Sequence, residues 1–359
     1  MDDLELNPKI ISAVRRAKLA SFAAVLNLSP ADIGRRTKLS AHDIQTLLQT
    51  VSRAVYKNPS ATALEVYQGT CDKSLQVATV STGCGVLDEF LNGGILTRGI
   101  TEIAGESAAG KTQLCMQLCL SVQRSVENGG LGGGAVYVCT EDVFPSKRLH
   151  QLIQTFQGRL DATESKHLRL GDNIFIEHVS ERDQLSHCIK YRIPLLLQQS
   201  QVKLIILDSL AALFRCEFSS GEAVKRAKHL QTLGAKLHHL GRVYGIPVVC
   251  VNQVTANMTP SSANDNKSNQ RQLIPALGLT WSNLVQTRLM LGRTDYQLTL
   301  DTSQHPENRI ETARDIGDPE GLRSVTEVPV RSLEVVFAPH LPRDTCYYVV
   351  EADGVRGLR

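Results

Sequence analysis

Residues 7–57 carry apolar side chains at intervals of three and four, a spacing typical of amphipathic helices. These apolar residues include Ile11, Val14, Leu19, Phe22 and Val25. Two serines, Ser29 and Ser40, precede further helical stretches, and a serine hydroxyl at such a position commonly caps the first turn. The sequence therefore predicts several short helices, which we assign to a small all-α domain at residues 1–57.

The pattern changes twice after residue 57. Residues 58–78 begin with Asn-Pro and lack a sustained period, which predicts a linker. Beyond it, short runs rich in Val and Ile alternate with helical stretches. These runs lie at residues 99–105, 135–140, 173–179, 204–209 and 247–254. Apolar strands that alternate with helices predict an α/β core at residues 79–359, with a mainly parallel, twisted sheet flanked by helices on both faces.

The C-terminal part of the chain is less regular. Residues 332–339 and 346–352 are apolar and β-branched, and they predict two further strands. Residues 295–330 form a long polar stretch before them. Because long structureless loops are uncommon in compact domains, we expect this stretch to be either a functional insertion or a disordered segment.

Composition narrows the class of protein. Hydrophobic residues make up 42% and charged residues 21% of the chain, which is ordinary for a soluble protein with a sizeable core. The nine cysteines form no Cys-x-x-Cys pair, so neither a zinc site nor a disulfide framework is indicated, and a reducing compartment is favoured. Residues 1–58 contain nine Lys or Arg and five Asp or Glu. This modest basic excess fits nucleic-acid contact and solvated helix faces equally well.

Residues 105–112, Gly-Glu-Ser-Ala-Ala-Gly-Lys-Thr, match a phosphate-binding loop, and they follow an apolar run and precede a helix as that motif requires. The glycines let successive backbone amides point at phosphate oxygens. We expect Lys111 to reach the β- and γ-phosphates and the Thr112 hydroxyl to bind Mg²⁺. The residues predicted to hold ATP are Gly105, Glu106, Ser107, Ala108, Ala109, Gly110, Lys111 and Thr112.

Three more polar residues end predicted strands. Asp208 follows the run Leu-Ile-Ile-Leu and is expected to hold Mg²⁺ through its water shell. Glu141 follows the strand after the phosphate loop, where it can orient or deprotonate an attacking water. Gln253 ends a later strand, where its amide can sense the γ-phosphate. We therefore predict Glu141 and Gln253 as catalytic residues, and Thr112 and Asp208 as magnesium ligands.

Residues 81–114, 140–149 and 207–218, which contain these motifs, resemble the RecA family of recombination ATPases in its eukaryotic recombinase branch. The resemblance runs from about residue 79 to the C-terminus, with a weaker helical match before it. It implies a RecA-like P-loop ATPase core. It also implies a recombinase paralogue that acts in DNA repair by homologous recombination and needs ATP and Mg²⁺.

The resemblance also implies roles for individual residues. Arg148 falls where a family arginine stacks on adenine, and residues 216–227 and 254–277 match the two DNA-facing loops. The implied DNA contacts are Arg215, Lys225, Arg226, Lys267 and Arg271.

Several positions depart from the family pattern. Ser60 replaces the phenylalanine of a Phe-x-x-Ala linker motif that docks into the neighbouring subunit, and Ala63 is retained. This loss argues against indefinite self-polymerisation, because a large buried anchor is missing. Phe337 replaces an acidic residue of the segment that caps a neighbour's ATP. Residues 254–277 contain no aromatic side chain, so strong base stacking there is not expected.

We therefore expect weak, DNA-dependent ATPase activity in a hetero-oligomer with another eukaryotic recombinase paralogue, of the C type. The recombinase itself is a second candidate partner, and the DNA would be single-stranded or branched. No membrane contact is expected; we place the chain in the nucleus, with the cytoplasm and mitochondrion as alternatives. An autonomous strand-exchange recombinase, which would form long homofilaments, and an unrelated P-loop enzyme remain as alternative functions.

Overall fold

The computed structural model describes residues 4, 6–19, 21–55, 60–72, 75–141, 143–161, 164, 168–199, 201–216, 222–256, 273–301 and 325–359. The chain divides into two compact units, Met1–Gln76 and Val77–Arg359, and each is described by itself. Within the described ranges, no helix is long and apolar enough to cross a membrane.

The first unit is entirely helical in its described part. Its helices are α1 Pro8–Arg16, α2 Phe22–Leu26, α3 Pro30–Thr37, α4 Ala41–Val55 and α5 Ala63–Gln68. The predicted caps are confirmed, since the Ser29 and Ser40 hydroxyls each accept a hydrogen bond at 3.1 Å, from the backbone N–H groups of Asp32 and Asp43. The buried core residues include Ile10, Val14, Leu19, Val25, Ile33 and Leu47.

A short helix, α5, lies inside the segment predicted as a linker. Thr62 begins it with a capping box: the Thr62 hydroxyl accepts from the Glu65 N–H at 3.2 Å, and the Thr62 N–H donates to the Glu65 carboxylate at 2.7 Å. None of the residues of α5 is buried. Local capping therefore forms this helix, rather than packing against the rest of its unit.

The second unit is built on one large sheet. Its strands are β1 Thr79–Val80, β2 Ile95–Leu96, β3 Ile100–Gly105, β4 Gly134–Cys139, β5 Ile174–His178, β6 Val202–Asp208, β7 Val248–Ala256, β8 Leu273–Pro275, β9 Thr287–Asp301, β10 Val325–Phe337, β11 Thr345–Glu351 and β12 Gly354–Leu358. Strands β1 and β2 pair with each other in a separate two-stranded antiparallel sheet. In the large sheet the strand order is β12-β11-β10-β9-β3-β7-β6-β4-β5, and β8 pairs with β7. All neighbours from β9 to β5 are parallel, and those from β9 to β12 are antiparallel. The predicted mainly parallel α/β core is confirmed.

Helices cover both faces of this sheet. They are α6 Gly85–Phe90, α7 Lys111–Ser121, α8 Ser146–Gln157, α9 Arg182–His187, α10 Ile193–Gln199, α11 Leu210–Cys216, α12 Ala223–Tyr244 and α13 Gly278–Ser282, with a π-helical segment Cys188–Arg192 between α9 and α10. Successive residues of β4 alternate between two buried clusters: Tyr137 joins the one that contains α7, and Val136 and Val138 join the one that contains α12. The period of two along each strand thus divides the core into two layers.

The long polar stretch differs from the expectation at both of its ends. Strand β9 continues to Asp301 and β10 begins at Val325, while residues 302–324 lie outside the described part of the chain. The strands extend into this stretch because apolar residues alternate with polar ones at its two ends. Leu298 and Val330 are 0% and 2% exposed and pack with the C-terminal strands.

Candidate nucleotide-binding site

A cavity of about 790 Å³ opens beside the carboxyl ends of β3, β6 and β7. Gly105, Asp208 and Gln253, from these three strands, line it. Parallel α/β sheets bind ligands at this edge, and the volume falls in the range of about 300–1,000 Å³ that is usual for small-molecule sites. The predicted nucleotide residues therefore converge on one concave site.

The backbone of the phosphate loop depends on its glycines. Gly110, the residue before α7, has φ of 95°, in the left-handed region that glycine adopts without strain. A side chain at Gly105 would place its Cβ 2.1 Å from the carbonyl oxygen of Leu291 on β9. The loop therefore requires Gly105 for close approach between strands and Gly110 for its turn into the helix.

Lys111, the first residue of α7, folds back over the loop. Its ammonium group donates to the carbonyl oxygens of Gly105 at 2.9 Å and Glu106 at 2.6 Å. Burial lowers the pKa of the Lys111 ammonium, and the carboxylates of Asp208 and Glu141 oppose that shift. A positive charge thus stands at the N-terminal end of α7, where the helix dipole also favours an anion.

Asp208 is joined to the loop helix through a hydroxyl group. The Thr112 hydroxyl donates to Oδ2 of Asp208 at 2.8 Å, and the Tyr137 hydroxyl donates to the same oxygen. Burial raises the pKa of the Asp208 carboxyl, while these two hydrogen bonds oppose the shift. Sequence reasoning missed Tyr137, because a tyrosine in an apolar strand is ordinarily a core residue.

Glu141 and Gln253 are in direct contact, although 112 positions separate them. The Gln253 amide donates to Oε1 of Glu141 at 2.7 Å, and the Ser209 hydroxyl donates to the same oxygen. The two predicted catalytic residues are therefore brought together. Ser209 was missed, and its only signal is its place directly after the strand-ending Asp208.

Arg148 lines the cavity and is held by several hydrogen bonds. Its guanidinium donates to Gln113 Oε1 at 2.8 Å and to the carbonyl oxygens of Glu351 at 2.6 Å and Ala352 at 2.8 Å. These contacts join α8 to α7 and to the turn between β11 and β12. Stacking of Arg148 on adenine stays a prediction.

The other loop residues occupy different positions. Ser107 and Ala108 are exposed and line the cavity. The Glu106 carboxylate lies 3.7 Å from the guanidinium of Arg293 on β9. Ala109 is fully buried, and its carbonyl accepts from the hydroxyl of Tyr348 on β11.

Strand β12 also contacts the loop helix. Gln117, in the middle of α7, accepts from the Val355 N–H at 2.7 Å and donates to the Val355 carbonyl at 3.2 Å. The C-terminal strands therefore support both the loop and the helix that follows it.

A buried charged cluster lies on the strands beneath the loop. Glu102 in β3 is 0% exposed, and its carboxylate accepts from the Asn252 amide at 2.6 Å and from Nε of Arg288 on β9. A further Arg288 nitrogen donates to the Ser282 hydroxyl at 2.7 Å. The aromatic ring of Phe337 lies 5.0 Å from the Arg288 guanidinium carbon. This cluster joins the phosphate-loop strand to β7, which carries the candidate catalytic Gln253.

The predicted DNA contacts are only partly described. Lys225 is exposed and pairs with Glu222 at 2.9 Å. Arg226 donates to the carbonyl oxygens of Phe214 and Ala276, each at 3.2 Å. The side chain of Arg215 and both Lys267 and Arg271 lie outside the described residues.

Comparisons with known proteins agree with this architecture. A family model described as Rad51 matches residues 73–307, and one described as XRCC3/RpoA-like, helix-hairpin-helix domain, matches residues 1–55. DNA repair protein XRCC3 of Mus musculus is 42% identical over 364 residues, which cover 100% of this chain and 98% of that protein. Its counterpart in Bos taurus is 43% identical over 362 residues, with the same coverage. DNA repair protein RAD51 homolog 2 of Homo sapiens is 30% identical over 308 residues, 81% of this chain and 79% of that protein.

Proposed function

Since the chain belongs to the Rad51 family of DNA repair proteins, we propose that it is an ATP-binding recombinase paralogue that acts in homologous recombination as part of a hetero-oligomer. One observation carries this proposal. Lys111, the Thr112–Asp208 pair and the Glu141–Gln253 pair all line one cavity of about 790 Å³. Ammonium, hydroxyl, carboxylate and amide groups are thus placed together as a nucleoside triphosphate requires.

The residues of the cavity fit MgATP. Lys111 already donates to two carbonyl oxygens, and phosphate oxygens can replace these acceptors. Thr112 and Asp208 offer the hard oxygen ligands that Mg²⁺ prefers, and Mg²⁺ commonly keeps several waters besides one or two protein ligands. When bound, the metal neutralises charge that develops on the phosphates.

The contacts of Glu141 favour slow hydrolysis. A general base must accept a proton from water, and the carboxylate oxygen Oε1 of Glu141 already accepts hydrogen bonds from Ser209 and Gln253. An attacking water must therefore displace or share these donors before it can pass a proton to that oxygen. We therefore propose a weak, DNA-dependent ATPase whose rate needs a charge from a neighbouring subunit, an effect of about 10³–10⁵ in P-loop enzymes.

The proposal of a hetero-oligomer rests on two positions that depart from the family pattern. Ser60 supplies no aromatic anchor for a neighbour, and Phe337 contacts Arg288 of its own chain. We propose another recombinase paralogue of the C type as the partner, with the recombinase as the second candidate. Single-stranded or branched DNA in the nucleus is the proposed substrate.

Titration with a fluorescent ATP analogue tests the nucleotide site. The full chain should bind the analogue in the presence of Mg²⁺, and Lys111→Ala should lose binding because the phosphate counter-charge is gone. Lys147→Ala is the matched control, because Lys147 is exposed and does not line the cavity. Equal affinity of Lys111→Ala and the wild type would overturn the proposal.

A further inference from the structure

Helix α12 carries an unusual charge. Between Ala223 and Tyr244 the chain has no Asp or Glu. The basic residues of this helix are Lys225, Arg226, Lys228, Lys236 and Arg242, together with His229, His238 and His239. A surface helix ordinarily mixes both signs, so this uniform charge indicates a partner of negative charge.

Part of this charge forms one strip along the helix. Lys225, Lys228 and Lys236 are spaced by three and eight positions, which places them within about 80° of one another around the helix. The strip is about 17 Å long, at 1.5 Å for each residue. A row of cations of this length suits an extended polyanion better than a single small anion.

The middle of the strip lies beside a small groove between α9 and α12. Its cavity measures about 30 Å³, and an apolar floor of Leu185, Phe214 and Leu233 lies beneath its polar residues. The polar residues of the groove are Arg182 and Ser186 of α9 and His229, Thr232 and Lys236 of α12. Cationic groups from two separate helices thus line the same groove. Solvation of a single helix face would not require this arrangement.

Two lysines of the strip have no carboxylate partner among the described residues. Lys225 pairs with Glu222 at 2.9 Å, and Arg182 lies 3.4 Å from Asp183. Among the described residues, by contrast, neither Lys228 nor Lys236 forms an ion pair. Net positive charge therefore remains at the centre of the strip.

We propose that the groove between α9 and α12, with the strip of Lys225, Lys228 and Lys236 along it, binds the phosphate backbone of DNA. This inference rests on the proposed function, because it extends the DNA-binding surface of the same assembly. Lys225 belongs to residues 216–227, which the sequence predicts as the first DNA-facing loop, and in the structure it lies in the first turn of α12, so the strip begins within that predicted segment. Its contacts are to phosphates, which makes them independent of base sequence.

The salt dependence of DNA binding tests the groove. The double variant Lys228→Gln/Lys236→Gln removes two phosphate contacts and keeps most of both aliphatic stems. For a 40-nucleotide single strand, we expect the slope of log K against log salt to become shallower by about 1.4, since each contact contributes about 0.7. Arg182→Gln should shift the slope by about half as much in the same direction.

The matched control is Arg98→Gln/Arg169→Gln, which removes two exposed charges from positions outside the groove. Its slope should equal that of the wild type, and all variants should keep the wild-type melting temperature and MgATP affinity. Equal slopes for the groove variant and the control would overturn the proposal. So would a groove variant that loses only inorganic phosphate binding, or only partner association. If the wild type itself fails to bind DNA, the proposed function is contradicted instead.

Discussion

Removal of Arg288 should destabilise the second unit far more than removal of a surface arginine. The carboxylate of Glu102 is 0% exposed and the side chain of Arg288 is 10% exposed, so their ion pair lies in the interior. Arg288→Met leaves the Glu102 charge without its cationic partner. Loss of one member of a buried pair costs about 3–5 kcal/mol.

The chain supplies a matched comparison. Arg343 contacts Glu334 at 2.7 Å, with the two side chains 74% and 29% exposed. An exposed pair of this kind contributes less than about 1 kcal/mol. Arg343→Met should therefore unfold at nearly the same urea concentration as the wild type, while Arg288→Met should unfold at a clearly lower one.

A double variant separates charge from packing. Glu102→Gln/Arg288→Met removes both charges and keeps an oxygen that can accept from the Asn252 amide. It should be more stable than Arg288→Met alone, because no unpaired charge remains buried. Urea denaturation of the full-length chain, followed by circular dichroism, gives the free energies of unfolding. A loss below about 1 kcal/mol in Arg288→Met would refute the reasoning, since it would place the pair in the exposed class.

Three further predictions concern the nucleotide-binding site. Gly105→Ala should abolish nucleotide binding or soluble expression, because its Cβ would lie 2.1 Å from a carbonyl oxygen, whereas Gly85→Ala, with no atom within 4 Å, should be tolerated; expression yield and ATP binding check this. Tyr137→Phe removes a hydrogen bond to the predicted magnesium ligand Asp208 and should raise the Mg²⁺ concentration needed for half-maximal ATP binding about tenfold or more, since loss of a group that orients a metal ligand costs about 10–100-fold in metal affinity; an unchanged Mg²⁺ titration would contradict it. Lys111→Ala should also weaken association with the partner paralogue in the presence of ATP; equally tight complexes by analytical ultracentrifugation would mean that the nucleotide does not hold the interface.

Local patterns in the sequence were sufficient for the phosphate loop and for most strands of the sheet. Gly110 and Lys111 stand in a motif of eight residues, and its strand and helix are adjacent in sequence. The contacts to Glu141 were not predictable in the same way, because Ser209 lies 68 positions away and reaches the carboxylate only through the strand order. Strand β9 was not predicted at all, and beyond residue 294 its alternating apolar residues such as Leu298 are outnumbered by polar ones.

The attachment of the C-terminal hairpin to the phosphate loop couples two distant parts of the chain. The Tyr348 hydroxyl donates to the Ala109 carbonyl, and the backbone of Val355 is hydrogen-bonded to the Gln117 amide. The Arg148 guanidinium donates to the carbonyl of Glu351 at the hairpin turn. A frameshift that deletes only these last strands would therefore mimic a defect in the loop itself, with every motif residue intact. Conversely, ATP should protect the hairpin from limited proteolysis, because a ligand that stabilises the loop also stabilises what is bonded to it.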